Sequence, residues 1–533
     1  MRGGNFKLIK SRQCHVLFWP TEVLRRATKS ESELTIPMDE LPSCPEAGPV
    51  WDGTNIGNTS ARAEMASVRT KLLYGFGSVA FGVKDQGFSY FLLFFYNQVI
   101  GLPALTASGA IAVALACDAF ADILIGEFSD NLRTRWGRRH PLMYFSAIPL
   151  ALAYWFLWNP PRWPQEKLFW YLVASAVLVR TLVSFYEVPS SALLAELTHD
   201  YDERTSMFGY RYFFGWTGGL SMTMLGFGVF FHASPRFPQG QLNPANYPAY
   251  ALTACVVMVV AIFVSALGTQ KFVRYFSAPP DRKPTLWGIL REMWDSMKNR
   301  SFLVVTLTAL FGSAAAGVVT NLNFYFSTFF WELTAREIFL LTVVLVPGPL
   351  AAMFLAPFLG KRFGKREAAL GLWAVSMVVN WAPISLRLFN LFPENHSPSL
   401  VPTLMVFGLF GNILAVTCSI IVSSMLADVV EDSQLRTGRR AEGLFFAANS
   451  FVAKSVSGLG GLFGGVILAF VKFPARASLG HIDPSVIRNL ALVYVPTVVC
   501  MYLLAMGTVA FYSITRSSHE DALAELKIAR AKD

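Results

Sequence analysis

Charge is what this sequence has least of. Only 15% of its 533 residues are Asp, Glu, Lys or Arg, where a soluble chain of this length carries about a quarter and splits into two or more domains. Histidine is scarce as well, at seven, and no HExxH pair or other nucleophile–base or metal cluster occurs, which argues against a membrane-embedded enzyme. A phosphate loop is missing too. From Gly360 to Gly364 the spacing is wrong, and Arg366 stands where Ser or Thr is needed. The six cysteines (Cys14, Cys44, Cys117, Cys255, Cys418 and Cys500) form no CxxC pair. Four of them lie in apolar runs and read as small packing residues rather than disulfides or metal ligands.

What the chain has instead is apolar length. It is 53% hydrophobic and 14% aromatic. Apolar runs fall near 73–100, 104–128, 141–160, 166–193, 207–232 and 247–270, and again near 301–331, 336–360, 367–389, 400–428, 441–471 and 486–514. A spanning helix needs about 20 such residues, and a lipid-exposed backbone must satisfy its polar groups within the helix. The expectation is an all-α polytopic membrane protein with about twelve spans in two six-helix bundles, 71–270 and 301–515. A charged connection at 271–300 joins them and a charged tail follows at 516–533. Residues 1–70 are polar and rich in Pro, Ser and Gly, so disorder is expected there. Their apolar patch around Val16–Trp19 is too short for a signal peptide, and Met65, just before the first span, is a candidate alternative start. Asn395-His396-Ser397 matches a glycosylation acceptor, a triplet common by chance.

The net charge of +10 does not point to nucleic acid, because of where it sits. Arg133, Arg135, Arg138 and Arg139 form one cluster, Lys361, Arg362, Lys365 and Arg366 a second, and Arg436, Arg439 and Arg440 a third. These occupy alternate connections, the positive-inside pattern, which puts the basic loops and both termini in the cytoplasm of a plasma-membrane protein. An internal repeat supports the two halves. Ala195-Glu196 followed by Arg204-Thr205 recurs 232 residues on as Ala427-Asp428 followed by Arg436-Thr437. Trp136-Gly137-Arg138-Arg139 has its partner 227 residues on at Phe363-Gly364-Lys365-Arg366. Paired halves around a midplane cavity are the architecture of major facilitator transporters, and without a nucleotide site transport would be secondary.

Ionisable groups stand inside the expected spans: Lys84, Asp85, Asp118, Asp122, Arg180, Glu187, Arg211 and Lys454. Each costs roughly 2.5–3.5 kcal/mol at the bilayer centre, so each marks a cavity or an ion pair. For one such group a structural pair is as good an account as function; eight in a few spans point to a water-filled path. Asp118 and Asp122, four apart, share a helix face. In low dielectric both stay ionised only if a cation neutralises them; either Na⁺ takes the oxygens or the pair holds a proton. The bland alternative is that Asp122 pairs with a neighbouring helix. Arg180, Ser184, Glu187 and Ser191 form a polar stripe beside Pro189, which frees a backbone carbonyl. Arg180 could pair with Glu187 or hold an anionic solute group. Gly458, Gly460, Gly461, Gly464 and Gly465 suit close helix packing.

From about Lys71 to Ser513 the chain resembles the glycoside–pentoside–hexuronide:cation symporters, the melibiose-permease type. The motifs that carry this are KLLYGFG…KDQG, CDAFAD followed by TRWGRRHP, YEVPS, GYRYFF, and MLADVVEDSQLRTGRRAEG followed by Lys454. The resemblance implies cation coupling at Asp118 and Asp122 with the hydroxyl of Ser184; the family's asparagine ligand falls on Ala121, which favours protons over sodium. It implies solute binding by Lys84, Asp85, Glu187, Arg211 and Lys454, with Arg180 as an extra charge. Two aromatic residues that flank sugar in the melibiose branch fall on Ser191 and Ser419, which argues against a galactoside. Asp130, Arg135, Gly137, Arg138, Arg139, Glu196 and Arg204, with Asp428 and Arg436, form a candidate gating set at the cytoplasmic loops. The expected partners are a small organic solute, glycoside- or hexuronide-like or otherwise carboxylated, and membrane lipid. No cofactor beyond the coupling H⁺ or Na⁺ is implied, and a monomer suffices. A lysolipid transporter of the same fold and a non-transporting membrane sensor are the alternatives.

Overall fold

Each apolar run is helical wherever it is described, as a backbone in lipid requires. The computed structural model describes residues 67–198, 201–273, 300–437, 459–477 and 481–511, all within the unit Thr59–Asp533. Met65, Lys454, Gly458, most of the 1–70 and 271–300 segments and the 516–533 tail lie outside the described residues, as do the side chains of Arg204, Asp428 and Arg436.

The first span is α1 (Val68–Phe76) and α2 (Ser78–Gln86), continued by π-helical turns at Gly87–Phe91 and Phe95–Ile100. Then come α3 (Ala104–Asn131), α4 (His140–Trp158), α5 (Gln165–Leu197), α6 (Tyr201–Leu225) with a π-helical end at Gly226–Phe230, and α7 (Tyr247–Gln270). The second half holds α8 (Arg300–Tyr325) with its π-helical end Phe326–Phe330, α9 (Ala335–Val344), α10 (Pro347–Phe363), α11 (Lys365–Leu388), α12 (Leu400–Thr437), α13 (Leu459–Phe470) and α14 (Pro484–Ala510). α9 starts at a capping box made by Thr334 and Glu337. It gives way to α10 just before Pro347, which has no N–H to continue the ladder.

Among the described residues, ten stretches are long and apolar enough to cross a membrane by length and composition, the α9–α10 pair counting as one. The first span, broken into short helices, and the described part of α13 supply two further positions. The architecture is all-α, of the major facilitator type.

Helices pack mainly within halves. α5 lies against α3 and α4, α6 runs along α1 and α2, and α7 closes on α1, α2 and α4. In the second half α12 packs on α10 and α11, and α14 on α8 and α11. In lipid such contacts rest on van der Waals fit, so small residues decide how close backbones come. At the α2–α6 crossing a Cβ on Gly82 would collide with the Gly215 carbonyl. Within the glycine-rich α13, a Cβ on Gly460 would stand 2.6 Å from the Ala314 carbonyl oxygen and one on Gly465 would strike the Ser108 hydroxyl, as the packing reading expects. Large side chains face outward, Phe354 and Phe470 being 74% and 75% exposed, as suits lipid contact.

Loops such as 132–139 form one end of the bundle, the basic face; 101–103, 231–246, 331–334 and 471–477 belong to the other. Contacts between the halves gather at this second face. Tyr90 stacks on Phe324 at 5.1 Å and Phe94 on the same ring at 3.8 Å. The Tyr325 hydroxyl donates to Asn97 Oδ1 at 2.9 Å, and Gln98 Nε2 donates to the Pro474 carbonyl at 3.1 Å. Gln239 and Gln241 donate to the carbonyls of Thr328 and Leu333 at 3.1 and 3.2 Å. Arg476, with φ of 53°, donates to the Ile100 carbonyl.

Candidate functional site

Three charged groupings stand within the spans of the first half, each set by a helix crossing. The α2–α6 crossing at Gly82 brings two spans together beside α5. Lys84 is buried, with its Nζ 2.6 Å from Asp85 Oδ1 and 4.0 Å from Glu187 Oε2. Asp85 is more than half exposed and Glu187 mostly covered, so this ammonium bridges a wet carboxylate and a dry one. Such a group has one strong partner and room in its shell for an acceptor on a solute.

Arg211 on α6 is the second. One of its terminal nitrogens donates to Ser190 Oγ at 2.8 Å and to the Tyr74 hydroxyl at 3.2 Å; the other donates to Ser191 Oγ at 2.7 Å. Its guanidinium also lies over the rings of Phe81 and Tyr74, at 5.2 and 5.7 Å to the centroids. Neutral hydroxyls and ring faces hold the cation in place. The Glu187 carboxylate also acts on this charge, so an anion entering beside it would compete with Glu187. Pro189 on α5 lacks the N–H that the Phe185 carbonyl would accept, yet α5 runs on to Leu197, and the next two residues supply the serines that seat Arg211.

The third grouping lies deeper. Asp118 on α3 is 2% exposed and Arg180 on α5 is 5% exposed. Arg180 Nη2 donates to Asp118 Oδ2 at 2.7 Å, and Ser184 Oγ donates to Asp118 Oδ1 at 3.0 Å. The guanidinium carbon also sits 5.3 Å from the Phe88 ring centroid. The sequence offers Glu187 or a solute anion as the partner of Arg180; the ion pair in the structure is with Asp118 instead, which the packing of α3 on α5 brings to it. Asp122, one turn along α3, is half-buried, and Ala121 beside it brings no side-chain oxygen.

At the basic face the loop residues of the candidate gating set come together. Glu196 at the end of α5 accepts from Arg138 Nη2 at 2.7 Å and from Arg139 Nε at 3.1 Å. Arg139 also reaches Asp130, and donates to Ser129 Oγ at 3.0 Å. Gly137 takes φ of +83°, where a Cβ would press on Val273, so this turn calls for glycine. Arg135 stands apart from the cluster, over its neighbour Trp136 at 5.4 Å. Among the described residues this network joins elements of one half only. The residues that join both halves, Asn97, Gln98, Tyr325 and Arg476, are not among the candidates read from sequence, nor are Tyr74 and Ser190. An amide pair inside an apolar run, Asn97-Gln98, is the one local signal that could have marked them.

The comparisons with known proteins agree with this architecture. The family model for MFS/sugar transport proteins matches residues 73–516. The chain is 24% identical over 467 residues to the inner membrane symporter YicJ of Escherichia coli (strain K12), covering 87% of this chain and 96% of that protein. It is 27% identical over 503 residues to the sphingosine-1-phosphate transporter MFSD2B of Mus musculus, covering 92% and 98%. Among solved structures it is similar to the nucleoside transporter NupG, with a TM-score of 0.56 and 12% identity over 83% of this chain and 98% of that one, a likeness of fold. The chain is a membrane transporter, not an enzyme, and it belongs to the MFS/sugar transport protein family.

Proposed function

We propose that the chain is a secondary symporter that couples H⁺ or Na⁺ to the movement of a small anionic organic solute, a hexuronide-like glycoside or another carboxylated molecule, by alternating access. The observation that carries this reading is the seat of Arg211: a buried guanidinium held by neutral hydroxyls and rings, with the one carboxylate Glu187 acting on both it and Lys84, so that two cations share that carboxylate and an anionic solute can join them. Asp118, Asp122 and Ser184 form the coupling site. Lys84, Asp85, Glu187 and Arg211 hold the solute, with Lys454 contributing charge to the same cavity, while Arg180, expected from the sequence to join them, is taken up by Asp118. The family's sugar-transport description and the symporter named among the relatives support this reading.

In this reading the basic face is cytoplasmic, both termini lie there, and the bundles 71–270 and 301–515 rock against each other in the plasma membrane. The seal at the opposite face, with its stacked rings and amide hydrogen bonds, then belongs to the inward-facing state. The Glu196 network with Asp130, Arg138 and Arg139 anchors the cytoplasmic end; Arg135, Gly137, Arg204, Asp428 and Arg436 complete the gating set.

A second reading is favoured by the likeness to a sphingosine-1-phosphate transporter: a phosphate-bearing lipid also suits Arg211 and Lys84. Proteoliposomes with imposed pH or sodium gradients, offered a hexuronide, a neutral glycoside and a lysophospholipid, separate the two. Gradient-driven accumulation of the hexuronide, lost in Arg211→Gln, is the expected result. Lysolipid transfer with no hexuronide accumulation would establish the second reading, and movement of none of the three would reject both.

A further inference from the structure

The coupling pocket already contains a cation. Asp118 has no bare oxygen: Oδ2 accepts from Arg180 at 2.7 Å and Oδ1 from Ser184 at 3.0 Å. The pair is closed from water, with Asp118 2% and Arg180 5% exposed, and the Phe88 ring covers the guanidinium. A hard metal ion needs about six oxygen ligands around it. Here Ser184 brings a single hydroxyl oxygen, already bonded to the carboxylate, and Ala121 brings no side-chain oxygen, so the set falls far short of that number. A metal ion at Asp118 would also stand against a fixed positive charge. At a separation of about 4 Å and an effective dielectric of about 20, that repulsion lowers cation affinity roughly a thousandfold.

We propose that Arg180 is the resident cation of this pocket: its guanidinium takes the place at Asp118 that a mobile sodium ion would fill, so the transporter binds no sodium there. The proposal rests on the reading of Asp118 as part of the coupling site and sharpens it, because it removes one of the two candidate ions at that carboxylate. An ordinary structural ion pair would make Arg180 important for folding and for nothing else. A tethered ion makes a further demand: neutralising Arg180 must create a sodium site where none existed.

The test uses the purified full-length chain in detergent with no solute present, so failure of the symport reading leaves it intact. Binding of ²²Na⁺ and thermal stability in sodium chloride against N-methylglucamine chloride are measured for the wild type and for Arg180→Gln, Arg180→Lys and Asp118→Asn/Arg180→Gln. The wild type and Arg180→Lys are expected to show no saturable sodium binding and no sodium-specific rise in Tm. Arg180→Gln gains at least tenfold in sodium binding together with a sodium-specific rise in Tm, and the double variant loses both. Saturable sodium binding by the wild type that Arg180→Gln leaves unchanged overturns the proposal. So does a folded Arg180→Gln that binds no more sodium than the wild type. If Arg180→Gln does not elute as a folded protein, Arg180→Met takes its place under the same two criteria, and sodium-specific stabilisation of the wild type rejects the proposal in either case.

Discussion

The two halves of the molecule keep their charge in different places. The first half buries Lys84, Asp118, Arg180 and Arg211 within its spans. The second, among the described residues, buries hydroxyls and amides such as Thr308, Asn321, Ser376 and Thr417, and no charged side chain. Its carboxylates stand at helix ends, Glu337 in the capping box of α9 and Asp483 at the start of α14. Separating a buried ion pair is costly, because each partner is left uncompensated in low dielectric. A surface that must part in every transport cycle is therefore better built from stacked rings and neutral hydrogen bonds, as at Phe94–Phe324 and Tyr325–Asn97. In the proposed cycle the charged pairs of the coupling and solute sites lie inside one bundle and need not part.

The sharpest way to break this contrast is to remove one partner of the deep pair. Asp118→Ala leaves the Arg180 guanidinium buried and uncompensated and should destabilise the protein by about 3–5 kcal/mol. Asp118→Ala/Arg180→Ala should cost clearly less than the sum of the two single variants. The matching change in the second half is Thr417→Val, which removes a hydroxyl bonded only within its own helix, to the Ile413 carbonyl; it should cost no more than about 1 kcal/mol. Denaturant unfolding in detergent of the four variants, Asp118→Ala, Arg180→Ala, their double and Thr417→Val, measures the difference. Equal losses from Asp118→Ala and Thr417→Val would mean that the halves do not differ as described.

Arg211→Lys comes next in size. The guanidinium fork meets Ser190, Ser191 and Tyr74 at once, and an ammonium is a point charge that cannot reproduce this geometry. A loss of roughly 2 kcal/mol is expected, or about a thirtyfold rise in the solute concentration giving half-maximal uptake. Arg476→Lys at the far seal keeps a donor for a single carbonyl and should change uptake less than threefold.

Much of this was legible before any coordinates. The span positions follow from lipid, which leaves a backbone no choice but helix, and the charged residues of the first half announce themselves inside apolar runs. The partner of Arg180 does not. On α5 alone, Glu187 is as good a partner as any, and only the packing of α3 on α5 brings Asp118 to it. The far seal was hidden for a similar reason. Asn97 and Tyr325 are 228 residues apart and Gln98 and Ala477 379 apart, and no local period reports such pairings. The break between α9 and α10 is the opposite case: Pro347 was in plain view, but a run of apolar residues from 336 to 360 reads as one span because hydropathy is blind to a missing N–H.

The seal itself can be loosened by one hydrogen bond. Tyr325→Phe keeps the ring between Phe94 and Phe473 and deletes the bond to Asn97, worth about 1 kcal/mol. That shifts a two-state equilibrium about fivefold towards opening at the far face. Thiol labelling at Ser327→Cys, a buried position of the seal, should speed up by the same factor in Tyr325→Phe. An unchanged rate would place the closing energy in the ring stack alone.

The smallest effect expected is confined to the rim of the second half. Asp483 caps α14, its Oδ1 accepting from the Ser485 N–H at 2.8 Å, and hydrogen bonds from the Ser485 backbone and side chain hold its carboxyl below the usual value. A depressed carboxyl stabilises the helix start while it is ionised. The contribution is complete above its ordinary value of about 4 and fades as pH falls through the lowered one. Because the carboxylate is fully exposed, only the first turn should respond: protection of the Val486 and Ile487 amides, measured against their intrinsic exchange at each pH, falls on acidification, while the middle of α14 stays protected. Asp483→Asn keeps a capping oxygen and should abolish the pH dependence; Asp483→Ala should fray the turn at every pH. If acid instead loosened the middle of α14 together with α8, a titrating group would lie inside the second half, and the division of charge between the halves would fail.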